Sequence, residues 1–268
     1  MCGRYTLSRP AELIDELEDA FDDELEIALD AAPPAVREEL LLDQPGTLRE
    51  RLRPRFNLAP TQAAPVVRNR PAPDGPSAAA PQLAALRWGL QPAWRKRGRR
   101  AAAPLINARV ETAAEKPSFA ESLAQRRCLV PADGFYEWSP RDRGHQPHWL
   151  TLGGPSPQPV CFAGLWDDPS DVAGADPGRF TILTTRACPS VAPLHDRMPI
   201  ALPHVLWRRW LDAEQDAEDA VALLHTDEVA AFADWSARPV GRAVNRVAND
   251  HAGLLEEADL EPQNLSLF

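Results

Sequence analysis

What the 268-residue chain lacks narrows its class first. It holds no run of about 18 apolar residues, so no membrane-spanning helix and no membrane partner are expected. The opening MCGRYTLSRP has no apolar stretch of the kind that directs secretion, which predicts a cytoplasmic chain with reduced thiols. The four cysteines, Cys2, Cys128, Cys161 and Cys188, form no CxxC pair and no zinc-type spacing. His145 and His148 form HxxH, but Pro147 between them denies the helical face that metal pairs use. No GxGxxG, P-loop or GxSxG segment occurs, and neither a cofactor nor a metal is expected. Lysine is nearly missing: of 29 basic residues only Lys96 and Lys116 are lysines.

What is present is globular, with 44% hydrophobic and 25% charged residues. The net charge of −10 argues against a general polyanion binder. The charge is unevenly spread. Residues 11–30 carry acids and no base, from Glu12 to Asp30. Residues 87–116 carry Arg87, Arg95, Lys96, Arg97, Arg99, Arg100, Arg109 and Lys116 against only Glu111 and Glu115. A local anion site fits that stretch, and so does a solvated loop.

Leu13, Leu17, Phe21 and Leu25 predict an amphipathic helix over residues 10–29, capped by Ser8 with Pro10 in its first turn. A second short helix is predicted from Val36 to Leu42. Prolines crowd residues 54–81, and PAPDGPSAAAP reads as a surface loop. Short strands are predicted at Pro65–Arg68, Leu83–Trp88, Arg127–Val130, Phe135–Trp138, His148–Leu152, Val160–Trp166 and Phe180–Thr184. Helices follow at His204–Leu211, Ala217–Leu224 and Asp227–Phe232. The elements do not alternate as βαβ. The expected fold is therefore α+β, a mostly antiparallel, barrel-like core with peripheral helices in one domain spanning 1–268. Cys128 and Cys161 lie in apolar runs and read as core; Cys188, before Pro189, reads as structural.

Four groups could carry chemistry. Loss of Met1 would leave the α-amine and thiol of Cys2 on adjacent carbons, with Gly3 giving room. An α-amine has a pKa of about 8, so a useful fraction is neutral at pH 7. Such an amine can form an imine with an aldehyde, and the thiol can close a five-membered thiazolidine on it. A chance cysteine is the plainer reading of that position alone. In PLINARVET, an extended segment would put Asn107, Arg109 and Glu111 on one face, as would a mere polar strand edge. Glu137, between Tyr136 and Trp138, is either an acid–base group with a raised pKa or a solvent-facing strand position. His195, Asp196 and Arg197 make either a proton-transfer group or a capped turn.

In order along the chain, MCGRY, NLAPT (57–61), RWGL, PLINARVET, DGFYEW and HDRMP together resemble the SRAP (SOS-response-associated peptidase) family, from residue 2 to about 250. The resemblance implies a β-barrel-like SRAP fold with a positively charged DNA channel. It implies binding of single-stranded DNA with abasic sites, including single-strand/double-strand junctions; a monomer, nucleoid-associated when bound to DNA, is expected. It implies a covalent thiazolidine between the sugar aldehyde and Cys2, freed by autocatalytic loss of Met1, with a lyase side activity. By the same resemblance Asn107 positions the sugar, Glu137 assists ring opening, imine chemistry and crosslink reversal, and His195 shuttles protons at the ring oxygen. Arg4, Arg109 and Arg197 match arginines facing phosphates or the lesion. Trp94 matches one of two adjacent tryptophans that wedge against bases. Arg95 replaces the second, followed by a basic insertion over about 95–103, which predicts salt-sensitive binding. The stretch over 31–53 is longer than in bacterial members. Two other readings are an N-terminal-nucleophile cysteine peptidase or amidohydrolase, and a non-covalent single-strand-binding module.

Overall fold

The computed structural model describes residues 2–40, 42, 44–69, 80–91, 103–139, 145–154, 157–167, 177–212, 214–232 and 234–258. The loop at about 71–81 and the insertion at about 95–103 fall almost wholly outside the described residues, as do Trp94 and Arg95.

The chain opens with β1 (Tyr5–Leu7), all three residues buried. Pro10 then starts α1 (Pro10–Phe21), whose Leu13, Ile14, Leu17 and Phe21 are buried while the acids face outward. The apolar pattern runs on to residue 29, but the helix ends earlier because Asp22 adopts φ 48°, a left-handed turn. Arg9, rather than Ser8, occupies the N-cap position. The N–H groups of Ser8 and Arg9 go instead to the Asp133 carboxylate, at 2.5 and 3.0 Å. Asp133 also accepts from the hydroxyls of Ser8, at 2.8 Å, and Thr6.

There follow β2 (Glu26–Ile27), α2 (Pro34–Leu40), α3 (Leu48–Arg51), β3 (Arg55–Leu58), β4 (Ala63–Asn69) and β5 (Pro81–Trp88). Then come β6 (Asn107–Arg109), α4 (Val110–Ala113), α5 (Ala120–Gln125), β7 (Arg127–Ala132), β8 (Gly134–Trp138) and β9 (Pro147–Leu152). The last part comprises β10 (Val160–Asp167), β11 (Arg179–Arg186), β12 (Arg197–Pro199), β13 (Ala201–Leu202), α6 (Trp207–Leu211), α7 (Ala217–Leu223), α8 (Asp227–Ala231) and β14 (Trp235–Pro239). Every strand read from the sequence lies within an observed one. The pattern does not single out β1, β2, β3, β6, β12, β13 or β14.

The strands form two sheets. One runs β14-β9-β8-β1-β3; the other runs β12-β11-β10-β7-β4-β5-β2, with β13 on β10 and β6 on β11. Because β5 also pairs with β11, the second sheet returns on itself as a ring of strands. The architecture is α+β and mainly antiparallel, as expected; the parallel pairings are β11 with β5 and β6, and β2 with β5. Cys128 and Cys161 are fully buried in the core, and all four cysteines are free. The longer stretch over 31–53 is tied inward by Glu39, which accepts the Ala63 N–H at 2.8 Å and pairs with Arg87 at 3.1 Å.

Gly134 lets β8 lie close to β9: a Cβ there would meet Trp149 Nε1 at 2.5 Å and Leu150 O at 2.7 Å. Backbone atoms cannot swing aside as a flexible side chain can. Gly134→Ala is expected to destabilise the fold by about 1–3 kcal/mol, read as a lower urea midpoint with an unchanged slope.

Candidate functional site

The site lies where the two sheets meet. Cys2 leads into β1 of the five-stranded sheet, whereas Asn107 opens β6 of the other. Asn107 Nδ2 donates to Cys2 O at 2.8 Å and so joins them. Its Oδ1 is buried and has no hydrogen-bond partner among the described residues. The Cys2 side chain is wholly buried, with Sγ 3.5 Å from Arg4 O. Burial pushes the thiol far up, and the Glu137 charge adds to the rise, so the sulfur keeps its proton at neutral pH.

Glu137 comes from β8, adjacent to β1 in the same sheet. It is 4% exposed, which settles the choice between a solvent-facing and an interior position. Burial raises its carboxyl to about 7; the positive charge of the amino terminus pulls downward, and Asp196 pushes up. Both protonation states are therefore well populated at neutral pH.

His195 stands in the turn between β11 and β12. Its Nδ1 lies 2.9 Å from the Arg197 backbone nitrogen, whose N–H points to it. Asp196 Oδ1 also lies 2.9 Å from Nδ1. Burial lowers the imidazole pKa below its usual 6.5, and the amino-terminal charge lowers it further against the pull of Asp196. The histidine is thus neutral at pH 7.

The expected alternation of Asn107, Arg109 and Glu111 is corrected by the fold. β6 ends at Arg109 and α4 begins at Val110, so Glu111 turns away into a helical first turn. There it meets Arg197 in a two-pronged ion pair at 2.6 and 2.8 Å, which holds its carboxyl below the usual range. Arg197 is buried and also donates to Thr184 O at 2.6 Å, so its two terminal nitrogens are committed inside the protein. The sequence pattern carries no sign of this pair, because its members are 86 positions apart. Arg109 is exposed and makes no ion pair among the described residues. Arg4 is half-buried, its Nη1 donating to Gly3 O at 2.8 Å. Among the described residues no group of three His, Cys, Asp or Glu could hold a metal ion, and no helix is long and apolar enough to cross a membrane.

A sequence model described as SOS response associated peptidase (SRAP) matches residues 1–247. The chain belongs to the SRAP family. Across 257 residues this SRAP chain is 33% identical to the abasic site processing protein YoaM of Bacillus subtilis, covering 96% of this chain and 98% of that one. It is 32% identical over 169 residues to the abasic site processing protein YedK of Escherichia coli, covering 63% and 72% of the two chains. Among solved structures it is similar to a phage-related protein of Bordetella bronchiseptica, with 26% identity and a TM-score of 0.60 over 90% of this chain and 95% of that one.

The raised Glu137 carboxyl has a stability signature. An acid protonated in the folded state to about 7, against 4.5 ordinarily, stabilises fully at low pH. As pH rises past 4.5 the unfolded chain ionises first, and stability falls until the folded group ionises near 7. At about 1.4 kcal/mol per pH unit, the fall amounts to about 3 kcal/mol. The difference between wild type and Glu137→Gln in urea unfolding, followed from pH 4 to 8, is expected to show that decline. A flat difference would remove the claim.

Proposed function

We propose that this chain processes abasic sites by capturing the sugar aldehyde of single-stranded DNA in a covalent thiazolidine on Cys2, once Met1 has been removed. The observation that carries this reading is the convergence of Asn107, Glu137 and His195 on the amino-terminal segment, with Asn107 bonded directly to Cys2 O at 2.8 Å. The names of the relatives YoaM and YedK, both abasic site processing proteins, support the substrate class.

The chemistry assigns each group one task. Neutral His195 takes the proton of the anomeric hydroxyl, and the imidazolium so formed gives a proton to the ring oxygen as the cyclic hemiacetal opens. The Cys2 amine attacks the freed aldehyde carbon. Protonated Glu137 gives its proton to the hydroxyl of the adduct, which leaves as water, and an iminium forms. The sulfur then bonds to the iminium carbon while its proton passes to the Glu137 carboxylate. Amine, thiol and aldehyde have become a thiazolidine and one water, and Glu137 ends as it began. A carboxyl that burial pushes above the usual carboxylate range suits a group that must give and then take. The protonated thiol fits an order in which nitrogen attacks first. The buried Oδ1 of Asn107 offers an acceptor to a sugar hydroxyl. Ring closure removes the acidity that drives strand cleavage, so the adduct shields the lesion.

Arg4 and Arg109 supply phosphate contacts in this reading, with Trp94 and Arg95 as further DNA contacts outside the described residues. The Glu111–Arg197 pair braces the His195 turn from beneath. Removal of Met1 by the protein itself, and a lyase side reaction through the imine, belong to the same proposal.

A denaturing gel with an abasic single-stranded oligonucleotide is expected to give a heat-stable shifted band, and Cys2→Ala none. Glu137→Gln is expected to slow band formation by about 10²–10⁴-fold. Turnover of an amide without any DNA adduct would favour the peptidase reading instead.

A further inference from the structure

The segment RWGL supplies no group to the chemistry proposed above, yet the fold clips it onto the residues just ahead of Asn107. β6, which Asn107 opens, is three residues long and pairs, among the described residues, with β11 alone. A strand so short, held along one edge, frays at its ends and fixes its own first residue weakly. The anchor comes from the end of β5. Leu90 and Leu105 exchange both backbone hydrogen bonds at 3.0 Å. Gly89, at φ 121°, lets the two segments close, because a Cβ there would meet Pro104 Cβ at 2.6 Å. Trp88 donates its Nε1–H to Ile106 O at 2.8 Å, the carbonyl immediately before Asn107. The same oxygen takes the Ile182 N–H at 3.2 Å, so the indole makes the shorter of its two bonds.

Trp88 also bears on the other partner of the Asn107–Cys2 bond. It is fully buried, and its ring meets Tyr5 edge-on, with centroids 5.2 Å apart and an interplanar angle of 69°. Tyr5 lies on β1, the strand into which Cys2 leads. Phe180 stacks against the indole at 6.4 Å and 7°. An indole is a rigid plane that moves only through its two side-chain torsions, and here both are held by packing. One side chain therefore steadies the segments on both sides of the bond: by a hydrogen bond towards Asn107 and by ring contact towards Cys2.

We infer that Trp88 is a positioning residue that aims the Asn107 amide at Cys2 and at the lesion sugar, touching no substrate atom itself. Its kinetic consequence rests on the thiazolidine reading; the placement of Asn107 can be read without DNA.

The test uses the whole chain with Met1 removed. Trp88→Phe keeps a ring in the stack and removes the donor, while Ile106 O retains the Ile182 N–H and is not orphaned. Affinity is read with a single-stranded oligonucleotide carrying a tetrahydrofuran abasic analogue, which has no aldehyde. Crosslinking rate is read on a denaturing gel with the natural lesion at saturating DNA. Trp88→Phe is expected to slow crosslinking about tenfold and to leave affinity within about twofold. In an Asn107→Ala background the same change is expected to slow nothing further. Phe180→Leu loosens the same rings but makes neither bond, and is expected to lower the urea midpoint without slowing the reaction. Equal slowing by Phe180→Leu, further slowing in the Asn107→Ala background, or a parallel loss of affinity overturns the inference. In the free protein, the Asn107 side-chain amide resonances are expected to move in Trp88→Phe and to stay in place in Phe180→Leu. Should Trp88→Phe not fold, Asn107→Ala serves instead: an unmoved Trp88 indole resonance overturns the inference, and a displaced one supports it. A displaced Asn107 amide in a chain that gives no crosslink leaves the positioning standing and removes the thiazolidine reading. An unmoved amide beside normal crosslinking removes the positioning alone.

Discussion

The bond from Asn107 Nδ2 to Cys2 O is short and ties one sheet to the other. Around it the rest of the site has its geometry. The segment before β1 has no regular partner of its own beyond Arg4, whose carbonyl accepts the Tyr136 N–H at 3.0 Å. Without Asn107, Cys2 would be a loose end at a sheet margin. With it, Cys2 is held within the electrostatic reach of the Glu137 carboxyl from β8. The two sheets bring different things: the five-stranded one carries Cys2 and Glu137, and the ringed one carries Asn107 and the turn that holds His195.

Burial works on these groups in opposite senses, and the differences are useful. It raises the Cys2 thiol and the Glu137 carboxyl and lowers the His195 imidazole, so all three favour their neutral forms. Arg197, which the resemblance sets against phosphates or the lesion, is paired within the fold with Glu111.

Much of the core is legible because apolar runs such as RCLV and PVCFAGLW are long enough to declare themselves, and β7 and β10 sit where those runs fall. The end of α1 is not legible: Leu25 continues the helical spacing, while the backbone has already turned at Asp22. In the site, the chemistry-bearing types at Cys2, Asn107, Glu137 and His195 can be picked out singly, and only the joint order of motifs gives them a common purpose. What they touch cannot be read. Nothing local says that Glu111 leaves its strand for Arg197, or that Asn57 reaches carbonyls nearly two hundred positions away. Those pairings are made by topology, and topology is not periodic.

β1 also has a consequence for biosynthesis. It is an interior strand, flanked by β3 and β8, and Tyr5 pairs with both Leu58 and Phe135. The residues of β1 must therefore wait for β8, more than a hundred positions later, before their slot in the sheet exists. Until then Cys2 has neither its amide clamp nor its carboxyl neighbour. On the proposed chemistry, assisted reactivity toward carbonyls is in this way tied to completion of the fold.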